Sequence, residues 1–384
     1  MTEQNRANKT MKKIILIALF LSTINFNTYS DQFDLRLKTL FDDLTLIENE
    51  LNAGPTINQI WSIWSEIGNI EAQQKFNLGN QYMAKRQYLK SIDMFSEVLD
   101  IDPNFAEAWN KRATLHYIIG DYEKSVSDIS KTLELEPRHF GALDGLAEIY
   151  ISQDQFEKAA QTYKKILSND PNNVDALRLF GLLAFKTKNY NLAEKLYLRT
   201  LTLMPSFSLA WDNLAKLYRI QNKLSEAIPA FSNLIKIDPT NFEALVSLGT
   251  IYTKLAKYEE GIQQYKKALL IDKTNARVYL SMGHALKTIG SREECERAYL
   301  NAIKYFPLSG EAYWSLANLK TYKFSALQIK EMNKLISSKI PSVELIQIHF
   351  ALGKAFESNK EYSKSFVHYK EGNWLQRKLP LIHI

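Results

Sequence analysis

Small and large side chains along this chain fall into series with a period of 34 residues. One small series runs Gly79, Ala113, Ala147, Gly181, Ala215, Gly249, Gly283 and Ala317. A second runs Ser91, Ser125, Ala159, Ala193, Ala227, Gly261 and Cys295. Four residues after each of these stands a large one: Phe95, Ile129, Tyr163, Tyr197, Phe231, Tyr265 and Tyr299. Proline keeps the same spacing at Pro103, Pro137, Pro171, Pro205 and Pro239; Lys273 takes the next slot, and Pro307 and Pro341 follow. Four series in register over seven periods are an internal repeat, the mark of a stacked architecture. Ahead of them, Leu40, Phe41, Leu44, Ile47 and Leu51 have helical spacing. So do Ile57, Ile60, Trp61, Trp64 and Ile67, after a break at Gly54-Pro55. Residues 31–71 are therefore expected to form a helical hairpin that caps the array.

The periodic pattern resembles that of tetratricopeptide repeat proteins over residues 72–309, which hold seven repeats. The resemblance implies an all-α fold, an α-solenoid in which helix hairpins stack into a right-handed superhelix with a concave groove. Each repeat is then two antiparallel helices. Small residues of the two helices let the backbones approach, the large residue fills the space beside them, and proline ends the second helix. Cys295 holds a small-residue slot, so it is expected to be buried and inert. From 310 to 384 the repeats degenerate. Ala317 and Pro341 persist, and a further unit shifted by two residues carries Gly353, Tyr362, Ser365 and Tyr369.

Composition narrows the function. Charged residues make up 23% of 384 and apolar ones 46%, the balance of a folded chain. Lys and Arg number 48 against 42 Asp and Glu, a net charge of +6. Residues 1–30 supply half of that excess, through Arg6, Lys9, Lys12 and Lys13 against Glu3. No basic cluster sits on one element, so nucleic acid is not an expected partner. No apolar run is long enough for a stable membrane span. Lys12-Lys13 followed by Ile14–Leu21 reads as the start of a signal peptide over 1–30, with Met11 as an alternative start and cleavage before Asp31. Export, into a periplasm, is the expected destination; a cytoplasmic location follows if that segment is not a working signal.

Catalytic motifs are missing. There is no phosphate loop, no G-x-S-x-G, no H-E-x-x-H and no C-x-x-C. The histidines, His116, His139, His284, His349, His368 and His383, never pair at i, i+4 on one helix. No catalytic residue, cofactor or metal site is expected. Binding chemistry is expected in the groove, at positions 5, 9 and 12 of each repeat. These give Asn80, Asn110, Thr114, Tyr117, Asp144 and Glu148 in the front half, and Asp212, Lys216, Arg219, His284, Lys287 and Asn318 in the back half. The front reads as polar to acidic and the back as basic, which would favour an acidic peptide or an anion. A chaperone-type carboxylate clamp is not formed: its positions hold Phe76 with Asn80, Lys111, and Gly141 with Gly145.

Two stretches carry narrower resemblances. Ile60-Trp61-Ser62-Ile63-Trp64, the segment 106–114 and the segment 136–143 resemble exported bacterial tetratricopeptide proteins, which implies a scaffold for an unidentified protein or peptide partner. The segments 281–288, 310–321, 350–357 and 369–373 resemble the repeat region of bacterial tetratricopeptide sulfotransferases. That likeness implies an alternative, the non-catalytic part of an enzyme whose catalytic domain is missing from this sequence. Self-association through the C-terminal repeats is a third reading, since terminal repeats without a polar cap expose apolar surface.

Overall fold

The computed structural model describes residues 34–47, 50–319 and 322–378, and the proposed signal segment, Met11 and His383 lie outside them. Among the described residues the structure is helical, with no strand. The chain divides into two compact units, one ending at Phe207 and one beginning at Ser208.

The first unit opens with α1 (Leu35–Leu46) and α2 (Glu50–Trp64). Four hairpins follow: α3 (Ile70–Ala84) with α4 (Tyr88–Ile101), α5 (Ala106–Ile118) with α6 (Tyr122–Leu135), α7 (Phe140–Ser152) with α8 (Phe156–Asn169), and α9 (Val174–Lys186) with α10 (Tyr190–Leu203). The second unit holds α11 (Ser208–Ile220) with α12 (Leu224–Ile237), α13 (Phe242–Lys254) with α14 (Tyr258–Ile271), and α15 (Ala276–Thr288) with α16 (Arg292–Tyr305). The short α17 (Gly310–Ala317), α18 (Ala326–Ile336), α19 (Ser342–Ser358) and α20 (Tyr362–Lys378) complete it. Within each unit, the hairpins from α3 to α16 pack each on the next, as in an α-solenoid.

The period of 34 has three physical causes. The first is the contact inside each hairpin. Ser91 Oγ donates to the Gly79 carbonyl at 2.8 Å, Ser125 to Ala113 at 2.9 Å, and Ser365 to Gly353 at 2.8 Å. Cys295 Sγ lies 3.3 Å from the Gly283 carbonyl in the same way. A small side chain in the second helix therefore both admits the first helix and holds it. The large residue one turn on lies against the small one. A Cβ at Gly181 would stand 2.6 Å from the Tyr197 ring, and one at Gly283 2.5 Å from Tyr299. The second cause is the turn inside the hairpin, which needs one left-handed residue. Arg86, Asp154, Lys188, Asn222, Ala256 and Lys360 take φ of 56–64°, and Gly120 and Gly290 serve the same slot. A side chain there costs about 1 kcal/mol relative to glycine. The third is the junction between hairpins. Asp102, Glu136, Asp170, Met204 and Asp238 end their helices with extended backbone, as a residue before proline must. Asn173, Asn241, Asn275 and Ser309 then cap the next helix through a side-chain oxygen.

The leading hairpin departs from expectation twice. Helix α2 runs without a break through Gly54-Pro55. The hairpin also docks beside the third repeat instead of stacking on the first. Trp64 is fully buried and stacks on His139 at 4.2 Å; Trp61 and Trp64 meet Phe140 at 5.1 and 4.8 Å. Gly141 leaves room for Trp61, whose ring would lie 3.0 Å from a Cβ there. Arg138 covers Phe41, and the Asn172 side chain donates to the Ile47 carbonyl. Apolar side chains of a hairpin must be covered somewhere, and the aromatic junction between α6 and α7 covers these.

The C-terminal end keeps one complete hairpin. Tyr369 lies against Gly353 as the series requires, so α19 and α20 repeat the inner geometry. Helix α17 is short and packs chiefly on α19. Gly310 makes this possible: its amide donates to Glu344 Oε2 at 2.6 Å, and a Cβ there would collide with the Glu344 carbonyl at 2.3 Å. No helix among the described residues is long and apolar enough to cross a membrane.

Candidate functional site

Two cavities are lined largely by one face of the first helices. This face, the groove stripe, includes positions 5, 9 and 12 and widens at helical spacing to 2, 6 and 13. In the second unit it builds a cleft of about 540 Å3 from α11, α13, α15 and the turns beside them. Arg219, Lys254 and Arg277 are its cations, Glu243 its carboxylate, and Ser247, Thr250, Asn275 and Ser281 add hydrogen-bonding groups. Arg219 and Lys254 make no ion pair among the described residues.

The candidate residues named from the sequence part company here. Arg219 lines the cleft. Lys216 does not, and its ammonium is held by Asp212 at 2.6 Å one turn away. Lys287 is exposed and outside the cleft. His284 is tied into a chain, with Nδ1 3.0 Å from the Tyr299 hydroxyl and Nε2 3.2 Å from Glu311. The hydrogen bond to His284, against the opposing cost of burial, holds the Glu311 carboxyl below its ordinary value. Asn318 caps the C-terminus of α17 and is half-buried. Lys254 and Arg277, the other two cations of the cleft, lie at positions 13 and 2, outside positions 5, 9 and 12.

In the first unit Asn80 is half-buried on α3, and Tyr117 lines a separate cavity with Glu148. Asn110 is a correction. It is buried and donates to Glu107 Oε2 at 2.9 Å instead of facing the groove. Glu107 is buried as well, and also meets His139 Nε2 at 2.9 Å and Lys111 at 3.0 Å. Burial works against its charge, but the hydrogen bond to His139 and the nearby Lys111 ammonium prevail and hold its carboxyl below the ordinary value. His139 Nδ1 accepts the Ala142 amide at 3.2 Å, in the helix-capping slot that asparagine fills elsewhere. That bond leaves the proton on Nε2, to be donated to Glu107. Glu107, Asn110, Lys111 and His139 thus hold the leading hairpin's dock in shape. No cluster of three or more His, Cys, Asp or Glu able to hold a metal occurs among the described residues. Cys295 is buried, and that burial pushes its thiol up.

Comparison with known proteins follows the same lines. Family models described as tetratricopeptide repeat match residues 120–179 and 209–241, and one described as TPR repeat matches 249–290. A TPR repeat-containing protein of Rhizobium etli is 30% identical over 87 residues, which are 23% of this chain and 43% of the relative. The chain thus spans less than half the length of that relative. The crystal structure of the C-terminal part of a TPR repeat-containing protein from Cytophaga hutchinsonii is similar with a TM-score of 0.56 at 14% identity, over 63% of this chain and 99% of that one. A tetratricopeptide repeat protein from Parabacteroides merdae gives 0.46 at 16%, over 70% and 100%. The Cytophaga likeness is one of fold.

Proposed function

We propose that this chain of tetratricopeptide repeats is a non-catalytic interaction scaffold, and that the groove of its second unit takes an acidic segment of a partner protein. One arrangement carries the reading. Arg219, Lys254 and Arg277 come from three successive first helices and line one cleft in which Glu243 is the single carboxylate among the described residues, with Glu311 near Arg277 outside it. Two arginines suit bidentate recognition of carboxylates, with the lysine as a mobile point charge. A charge-assisted hydrogen bond is worth about 1.5–3 kcal/mol, and about 1.4 kcal/mol is a factor of ten in affinity. Replacing Arg219, Lys254 and Arg277 together by alanine should therefore weaken a fluorescein-labelled Asp/Glu-rich peptide at least tenfold in fluorescence polarisation. Replacing Lys216 and Lys287 should change it little. Equal binding by the first variant and the parent chain would remove the reading.

The partner is best sought outside the cytoplasm. The basic n-region and apolar h-region of residues 12–24 support export of the chain. N-terminal sequencing of the protein from its own cells should begin at Asp31. A chain that keeps residues 12–30 intact would return the search to the cytoplasm.

A further inference from the structure

The phenols of the large-residue series point to a second site. Tyr265 Oη lies 3.2 Å from Thr250 Oγ1, and Tyr299 Oη 3.0 Å from His284 Nδ1. Each partner stands one residue after the small residue of its first helix, on the groove stripe. The same register sets Tyr163 opposite Glu148 and Tyr197 opposite Leu182. Both of those hydroxyls are buried and have no hydrogen-bond partner among the described residues. Burial raises both phenols above their ordinary range.

Tyr163, fully buried, lines a cavity of about 440 Å3 on the groove side of α5, α7 and α9. Ile151, Leu179, Leu182 and Leu183 give it an apolar wall, and Leu182 stays 42% exposed there. Glu148 stands in the same cavity, and Asp144 precedes it by one turn of α7. Burial, then Glu148 and Asp175, push the Asp144 carboxyl up to about 6 against the opposing pull of Arg178. Two cations, Lys186 and Arg178, share this region with four carboxylates, Asp144, Glu148, Asp154 and Asp175. Lys186 is 3.7 Å from Asp154 and lies over Phe156, and Arg178 Nε is 4.0 Å from Asp175. The cavity therefore combines an aliphatic wall, a surplus of carboxylate and a buried hydroxyl without a partner.

We propose that this cavity of the first unit binds a partner segment that presents an aliphatic side chain beside a basic one. The aliphatic group packs on Leu179, Leu182 and Leu183. The ammonium or guanidinium meets Glu148, with Asp144 one turn behind it adding to the negative field. The inference rests on the scaffold reading but demands the charge opposite to that of the second unit, so the two fail separately.

Panning a phage-displayed library of random dodecapeptides on the full chain at pH 7 reads both. An aliphatic–basic class and an acidic class are expected. A synthetic peptide of the first class should bind at least about tenfold more weakly to the Glu148→Gln, Asp144→Asn variant, the loss of one charge-assisted contact. Leu182→Lys should do the same from an exposed position, and the Arg219, Lys254 and Arg277 replacement should leave this peptide unaffected. Binding should also weaken from pH 7.5 to pH 5 as Asp144 takes up its proton in the company of Glu148, Asp175 and Arg178. Asp144→Asn should flatten that slope. Recovery of acidic peptides alone overturns the cavity proposal and keeps the second unit's. Basic peptides alone do the reverse, and no enrichment overturns both. Aliphatic–basic peptides that ignore both first-unit variants also overturn it.

Discussion

Trp64→Ala is expected to release the leading hairpin while the repeats stay folded. Trp64 has no exposed surface and touches Phe41, Trp61, His139 and Phe140, with ring centroids 4.2–6.0 Å apart. Truncating a buried tryptophan costs about 3–5 kcal/mol. That loss falls on one small cluster, made of α1, α2 and the junction before α7. Repeat arrays are held by nearest-neighbour contacts, so a loss at one contact need not spread through the rest. Hydrogen exchange should show amides of 35–64 becoming nearly unprotected, with 242–305 unchanged. Glu107, Asn110 and His139 should become partly exposed, which an increase in exchange at Ala142 would report. Unchanged protection over 35–64 would mean that the hairpin is held by something other than this aromatic dock.

The dock also shows what the sequence could and could not reveal. Ile60-Trp61-Ser62-Ile63-Trp64 and the segment 136–143 were each recognisable as distinctive strings, yet nothing in their spacing said that they pack on each other. Their contact is a single event with no period, so the repeat pattern carries no trace of it. The same limit explains Asn110. Its position on the stripe is regular, but Glu107 and His139 occur once, and their buried pair recruits it. Periodic features were legible because a solenoid imposes them physically. Ser91, Ser125, Cys295 and Ser365 repeat one hydrogen bond to a carbonyl 12 residues back, so a small residue must recur at that place. The segments 310–321, 350–357 and 369–373 have packing roles as well. Gly310 meets Glu344, Gly353 meets Tyr369 and Gly372 meets Phe350. Three positions per repeat describe the groove too narrowly. A helix shows a face about 100° wide, so positions 2 and 13 join 5, 9 and 12, and they bring Arg277 and Lys254 into the cleft.

Gly181→Leu is the strongest test of the contact that sets the repeat. Its Cβ alone would sit 2.6 Å from Tyr197 Cε1, and Tyr197 is fully buried and cannot swing away. Alanine already fills the same slot at Ala147, opposite Tyr163, so one methyl is tolerated where the helices were built around it. Gly181→Ala should therefore cost less than leucine, because it brings only the first carbon of the clash. Leucine adds three more carbons with no space to take, and overpacking of this kind costs about 1–3 kcal/mol. The denaturation midpoint should fall in that order: parent, alanine, leucine. Tyr197→Ala in the leucine background should restore part of the loss, since the removed ring makes room for the new side chain. Tyr197→Ala alone should destabilise, because it leaves a cavity beside Gly181. A double-mutant cycle then gives a favourable coupling between the two changes. Strict additivity would place Gly181 and Tyr197 out of contact, and with them the reason for a small and a large residue at these places in every repeat.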